Sequence, residues 1–281
     1  RGLQVIAITG TAGKSTTAIF TATALAASGQ GVGVSSTVYY QVGEVRTLNT
    51  SHMTMPGRFA MQRMLRQMVT AGCHYAVLET SSEGLAQGRL LGIDVDVAVL
   101  TNITPEHIQS HGSFEKYREA KKKLFTALSQ SKKKFLFGRP VAKVAIVNGD
   151  DPQAAFFLAC RVEERIAVLT NGHNLSSAPT HTEKRITAIE PTETGSTFQL
   201  DQEQFSVHLP GDYNVMNASE AIMAARAVGV PYEVARQGIV TVTEIPGRFQ
   251  IIKHGNKEVV IDYAVTPAAM KQLFTTVRQR G

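Results

Sequence analysis

The chain has 281 residues, 43% of them hydrophobic, and a formal net charge of +6 at pH 7, enough apolar material for a large core in one or two domains. The positive balance suits anionic ligands such as nucleotides, but the basic residues are scattered and lack interleaved aromatics, which argues against a nucleic-acid surface. Two cysteines, Cys73 and Cys160, make neither a disulfide framework nor a metal-binding spacing, no apolar run reaches membrane-spanning length and the start carries no signal-peptide pattern, so a reducing cytoplasm is expected.

The first element is the apolar run Val5-Ile6-Ala7-Ile8, read as a buried strand. It leads into Thr9-Gly10-Thr11-Ala12-Gly13-Lys14-Ser15-Thr16 and then an alanine-rich helical pattern over about 15–28. Strand, glycine turn, Lys-Ser and helix together describe a phosphate-binding loop, in which backbone N–H groups and the helix N-terminus cradle polyphosphate oxygens. Ile8 stands where the full G-x-x-x-x-G-K-[ST] pattern has its first glycine. Helical patterns recur at about 57–71, 113–130 and 151–160, and short apolar runs at 75–78, 95–100, 143–147 and 165–169. This alternation predicts an α/β fold with a P-loop-type, mainly parallel sheet and helices on both faces. From about 183 to 209 the pattern changes to alternation with turn residues, which predicts a small antiparallel subsheet. Helices at about 213–228 and 231–241 follow, then a hairpin of 249–253 and 258–261 turning at Gly255-Asn256, and a helix at about 267–279. The division expected is a nucleotide-binding domain over 1–245 and the beginning of a second α/β domain over 246–281.

In an open parallel sheet, ligands gather at the carboxyl ends of the strands. Glu79 closes the run at 75–78 and precedes Thr80-Ser81-Ser82; it reads either as a Mg²⁺ ligand beside the loop or as a helix-capping carboxylate. Thr101-Asn102 closes the next run and leads to Glu106-His107, where His107 is either a metal ligand or a structural histidine. Asp150-Asp151-Pro152 reads as a helix N-cap with proline in the first turn. The clusters Lys121-Lys122-Lys123 and Lys132-Lys133-Lys134 read as a solvated face. Lys121 is the exception, because it shares a helical face with Phe114, Tyr117, Leu124, Phe125 and Leu128. A lysine there snorkels, pairs with a carboxylate, or becomes neutral and open to carbamate formation with CO₂.

Together these segments resemble the ATP-dependent Mur ligases, closest to the MurE group that adds the third amino acid to the peptidoglycan precursor. The resemblance rests on the loop from Thr9 to Thr17, Glu79-Thr80-Ser81-Ser82 with Gln87-Gly88-Arg89, Thr101-Asn102 with Glu106-His107, and Tyr117-Arg118-Glu119-Ala120-Lys121. It continues through Asn148-Gly149-Asp150-Asp151-Pro152, Gly211-Asp212-Tyr213-Asn214-Val215-Met216-Asn217, Pro246-Gly247-Arg248-Phe249 and Asp262-Tyr263-Ala264. The resemblance implies an amide-bond ligase that uses ATP and Mg²⁺ to join an amino acid to a UDP-N-acetylmuramoyl-peptide through an acyl phosphate. It implies that Thr11, Ala12, Gly13, Lys14, Ser15 and Thr16 hold the ATP phosphates, Asn217 the adenine, Arg248 the phosphates and Asp262 the ribose. Ser15, Glu79, His107 and a carbamylated Lys121 would serve the metal ions, and Thr54, Ser81, Ser82 and Arg89 the muramoyl-peptide. Neither nucleic acid nor membrane is an expected partner. Three departures stand out: the family usually has His at Glu83, Asp at Glu106 and His at Val265. The alternatives are a folylpolyglutamate synthase-like or other amino-acid ligase, and a non-catalytic ATP-binding fragment.

Overall fold

Side chains alternate along the first apolar run so that Ile6 and Ile8 join one core while Val5 and Ala7 join another. That burial on two faces sets the architecture. In the computed structural model, which describes residues 2–51, 53–106, 108–136, 138–175, 178–255 and 257–279, this run is β1 (Gln4–Thr9), followed by α1 (Lys14–Ala26). Next come β2 (Val32–Ser35), β3 (Tyr39–Val42), β4 (Val45–Leu48) and α2 (Arg58–Thr70). The chain then forms β5 (Tyr75–Glu79), α3 (Ser82–Ala86), β6 (Val97–Leu100), α4 (Ile108–His111) and α5 (Phe114–Gln130). A small hairpin, β7 (Lys134–Leu136) and β8 (Arg139–Val141), precedes β9 (Val144–Asn148), α6 (Ala154–Leu158) and β10 (Glu164–Thr170). The meander β11 (Thr182–Pro191), β12 (Ser196–Leu200) and β13 (Glu203–Val207) leads to α7 (Tyr213–Ala227) and α8 (Tyr232–Ile239). The hairpin β14 (Gln250–His254) and β15 (Lys257–Ile261) and the helix α9 (Pro267–Gln279) close the described chain.

An 11-stranded sheet runs in the order β13-β12-β11-β10-β9-β6-β1-β5-β2-β3-β4. Its centre is parallel, with β1 between β5 and β6, as the alternation of strands and helices predicts. Helices α1, α7 and α8 contribute to the core on one face; residues of α2, α3, α5 and α6 form the other. The meander at 182–207 is antiparallel as expected, but it is not a separate sheet: β11 pairs in parallel with β10 and extends the main sheet. A second antiparallel extension, β2-β3-β4, lies at the opposite edge and was not foreseen. The β14–β15 hairpin falls where expected, although Asn256 of its turn lies outside the described residues. Among the described residues no helix is long and apolar enough to cross a membrane.

Two expectations are corrected. Helix α6 starts only at Ala154, with Gln153 at its N-cap, so the Asp-Asp-Pro segment is not the cap itself. Asp151 instead accepts from the N–H groups of Ile103 (2.6 Å) and Gln153 (2.8 Å), tying the loop after β6 to the turn before α6. Asp150 accepts from the Thr170 hydroxyl at 2.6 Å.

Lys134 is not on a solvated face either. Its amine donates to Leu3 O (2.9 Å), Asp94 O (2.7 Å) and Asp96 Oδ2 (2.5 Å). Asp96 is fully buried and also accepts from Lys143 Nζ at 2.7 Å and from the Val5 N–H at 2.8 Å. This cluster sits at the amino end of β6, away from the strand ends where ligands gather. Burial pulls the Lys134 amine below its usual range, and Asp96 opposes that shift.

Candidate functional site

A cleft of about 440 Å³ opens at the carboxyl ends of β1, β5 and β6, with residues from 246 onward along one side. The register explains the convergence: Ile8 pairs with Glu79 and Thr9 with Leu100, so the turn after β1 lies between the ends of its two neighbours.

The turn is clamped from the β6 side. Asn102 accepts the Thr11 N–H with its backbone carbonyl (2.8 Å) and the Ala12 N–H with its side-chain oxygen (2.9 Å). The Thr101 hydroxyl donates to Ala12 O at 2.6 Å, and the Thr11 hydroxyl meets Tyr117 Oη at 3.0 Å. Gly13 has φ 81°, a backbone shape that suits glycine, and a Cβ there would lie 2.3 Å from Asn217 Oδ1. The first intrahelical bond of α1 runs from Thr17 N to Gly13 O, which leaves the N–H groups of Lys14, Ser15 and Thr16 free of intrahelical partners at the positive end of the helix. The loop thus retains a cradle for an anion, made by Gly13 and the head of α1 rather than by Thr11 and Ala12.

Lys14 is half-buried in the cleft and donates to Thr11 O at 2.9 Å. Burial lowers its pKa and the charge of Arg248 adds to that, whereas Glu79 and Glu106 work the other way. Ser15 Oγ lies 3.1 and 3.0 Å from the two carboxylate oxygens of Glu79. Arg248 Nη2 donates to the same hydroxyl at 3.0 Å. The set Ser15 and Glu79, hard oxygens beside a phosphate cradle, fits Mg²⁺, which takes few protein ligands and completes its shell with phosphate and water. Among the described residues no group of three or more His, Cys, Asp or Glu side chains is placed to hold a metal by itself. His107 lies outside the described residues.

Lys121 lies where its helical period places it, on the buried face of α5. Its amine donates to Gly10 O at 2.6 Å and stands 4.5 Å from the centre of the Tyr117 ring. Among the described residues it forms no ion pair. Burial holds it well below the usual lysine range, Lys14 adds to the shift, and Glu106 opposes it. One Glu106 oxygen is buried without a hydrogen-bond partner among the described residues.

The remaining expected residues gather round the same cleft. Asn217 lines it with its amide against Thr17 (3.4 Å) and Asn214 (3.0 Å). Asp262 accepts the Phe249 N–H at 2.6 Å, which fixes the turn that carries Arg248. Thr54 meets Thr37 at 3.0 Å, Ser81 caps α3 by accepting from Gly84 N, and Ser82 meets His111 Nε2 at 3.0 Å. Arg89 donates to Met55 O and to Gln87. Glu83 and Val265, two of the departures, are exposed on the cleft wall. Thr37 and Tyr117 are contacts that sequence reading missed; Tyr117 carried only a core signal, and Thr37 carried none.

Behind the cleft, Glu220 of α7 is fully buried, and among the described residues neither carboxylate oxygen has a well-formed hydrogen bond. Burial raises its pKa well above the ordinary 4.5; the Thr17 hydroxyl opposes this, and the charges of Asp151 and Asp150 add to it. The folded state therefore keeps a proton that the unfolded chain loses near 4.5. Stability is full below that pH, falls as pH rises toward the raised value, and levels off above it. Glu220→Gln is expected to flatten this slope in urea unfolding followed across a pH series; an unchanged slope would place the titration elsewhere.

Residues 8–225 match the model of the Mur ligase middle domain. The UDP-N-acetylmuramyl-tripeptide synthetase of Roseiflexus sp. strain RS-1 is 36% identical over 292 residues, covering 99% of this chain and 55% of that protein. The UDP-N-acetylmuramoyl-L-alanyl-D-glutamate–2,6-diaminopimelate ligase of Halalkalibacterium halodurans is 33% identical over 280 residues, covering 98% and 54%. A solved structure of a ligase with that same name superposes with a TM-score of 0.79 at 28% identity, covering 99% of this chain and 54% of the other. The chain thus spans about half the length of the curated relatives it matches.

Proposed function

The chain belongs to the Mur ligase family, and we propose that it is the ATP-binding body of a cytoplasmic ligase that joins an amino acid to a UDP-N-acetylmuramoyl-dipeptide. The observation that carries this reading is the Ser15–Glu79 contact at 3.0 Å beside Lys14 at the head of α1. In the proposed reaction the dipeptide carboxylate attacks the γ-phosphorus of ATP and ADP leaves. The amine of the incoming amino acid then displaces phosphate from the acyl phosphate and loses a proton, which forms the amide. Lys14 and the N–H groups at the start of α1 would hold the phosphates, and Ser15 and Glu79 would hold Mg²⁺. When bound, Mg²⁺ neutralises charge on the phosphate oxygens. Arg248 adds a second positive charge, and Thr54, Ser81, Ser82 and Arg89 form the wall for the muramoyl-peptide.

The buried amine of Lys121, without a carboxylate partner among the described residues, is suited to addition to CO₂. Its nitrogen bonds to the carbon, one proton leaves, and a carbamate remains that supplies anionic oxygens near Lys14. Native mass measurement of the intact chain is expected to find the added mass of one CO₂, and to find none in Lys121→Arg.

Phosphate release from ATP with UDP-N-acetylmuramoyl-dipeptide and a panel of amino acids tests the whole reading. Mg²⁺-dependent ATP affinity with release prompted by one class of amino acid is expected. Affinity without release for any amine would favour a binding module, and absence of Mg²⁺-dependent affinity would overturn the assignment.

A further inference from the structure

Glu79 is held from the side opposite the phosphate loop by a residue that neither the motif pattern nor the family match singles out. The Thr37 N–H donates to Glu79 Oε2 at 2.7 Å, and its hydroxyl donates to Oε1 at 3.0 Å. One residue thus reaches both carboxylate oxygens. A carboxylate has about four acceptor positions, two on each oxygen. Thr37 fills one on each, and the other pair faces the Ser15 hydroxyl at 3.1 and 3.0 Å.

The backbone makes this clamp rigid. β2 pairs with β5 in parallel, with Ser35 opposite Leu78, so Thr37, two residues past β2, arrives beside Glu79 at the end of β5. The turn that follows is closed by Ser36, whose N–H and hydroxyl both donate to Tyr39 O, at 3.1 and 2.9 Å. The Ser36 hydroxyl oxygen also accepts from Val38 N at 3.2 Å. On the far side, Thr37 Oγ1 lies 3.0 Å from the Thr54 hydroxyl. A threonine hydroxyl has a single hydrogen, and the charged carboxylate is the stronger acceptor. The Thr37 hydroxyl hydrogen is therefore shared toward Glu79 first, and the Thr54 hydroxyl lies at hydrogen-bond distance on its other side.

We propose that Thr37 is a positioning residue that fixes the pose in which Glu79 meets a divalent cation and links that pose, through Thr54, to the side of the cleft where the acceptor peptide would lie. The inference rests on the reading of Ser15 and Glu79 as cation ligands. Partners that orient a metal-binding carboxylate control metal affinity strongly even though they never touch the ion.

The test is the Mg²⁺ dependence of binding of a non-hydrolysable ATP analogue, by calorimetry, in the wild-type chain, Thr37→Val and Thr37→Ser. Thr37→Val keeps the backbone N–H and the side-chain shape and removes the hydroxyl. It is expected to raise the Mg²⁺ concentration for half-maximal binding about tenfold or more, with affinity in EDTA unchanged within about twofold. Thr37→Ser, which keeps the hydroxyl, is expected to restore the wild-type value. Equal Mg²⁺ requirements in the wild type and Thr37→Val would overturn the inference and leave the nucleotide reading intact, as would a Thr37→Ser chain that behaves like the valine variant. A wild-type chain whose analogue affinity ignores Mg²⁺ would instead sink the reading of Ser15 and Glu79 and the inference with it. Loss of affinity in EDTA by Thr37→Val would mark general damage to the cleft and also count against it.

Discussion

Replacing Lys14 with alanine is expected to lower ATP-dependent phosphate release roughly 10²- to 10³-fold, the usual loss when one preorganised donor to a developing anion is removed. The fold has little stake in this side chain. Its one strong contact is the 2.9 Å bond to Thr11 O, and that turn is already held by Asn102, Thr101 and Tyr117. Unfolding in urea should therefore shift by no more than about 1 kcal/mol. The amine is kept under tension between burial, which favours its neutral form, and the carboxylates of Glu79 and Glu106, which favour the cation. An arriving triphosphate would settle that balance on the charged side. Lys14→Arg is not expected to rescue, because a planar fork does not replace a compact ammonium in a closed turn. ADP formation at saturating Mg²⁺, with an ATP isotherm for each variant, measures the effect. Wild-type affinity in Lys14→Ala would remove the loop from any part in phosphate binding.

At the other end of the same strands the expected effect is on stability alone. Asp96→Ala should cost about 3–5 kcal/mol, because it leaves two buried ammonium groups without their counter-charge. Lys134 and Lys143 both reach Asp96, at 2.5 and 2.7 Å, and the Val5 N–H loses its acceptor as well. Removing the charges together should cost far less: Asp96→Leu with Lys134→Met and Lys143→Met replaces the cluster by apolar volume, and such exchanges are often neutral. Urea unfolding of the single and triple variants checks both statements. Turnover per folded molecule should be unchanged, since the cluster lies at the amino end of β6. A triple variant no more stable than Asp96→Ala would mean that the cluster does more than balance its own charges.

The contrast between these two lysine sites shows what a sequence discloses. Lys14 is legible because its meaning is local: the glycine turn, the strand before it and the helix after it are contiguous. Lys121 is legible by period, since every third or fourth residue of α5 is apolar and a lysine on that stripe has to be buried. Lys134 carries no such mark. Its partner is 38 positions earlier, and only the return of the chain through α5 to β7 brings the two together. The parallel centre of the sheet was readable from its buried runs, but β2, β3 and β4 were not, being only four residues each. Thr37 was hidden with them. Glu220 escaped notice because its helix is alanine-rich and buried almost all round, so no polar stripe flagged a carboxyl facing inward.

Arg248 reaches across the cleft from one wall to the other. One belongs to the eleven-stranded sheet and carries Lys14, Ser15 and Glu79; the other begins at Pro246 and carries Arg248, Tyr263 and the first turns of α9. Between them the backbone passes through Gly247 at φ 68° and Phe249 at φ 43°, a left-handed pair of swivels. The side-chain bond from Arg248 to Ser15 spans the cleft itself, and Gln250 bonds Glu244 beside the joint. The same few backbone angles therefore set both the width of the mouth and the distance of the guanidinium from the lysine, so gape and local charge depend on one short turn.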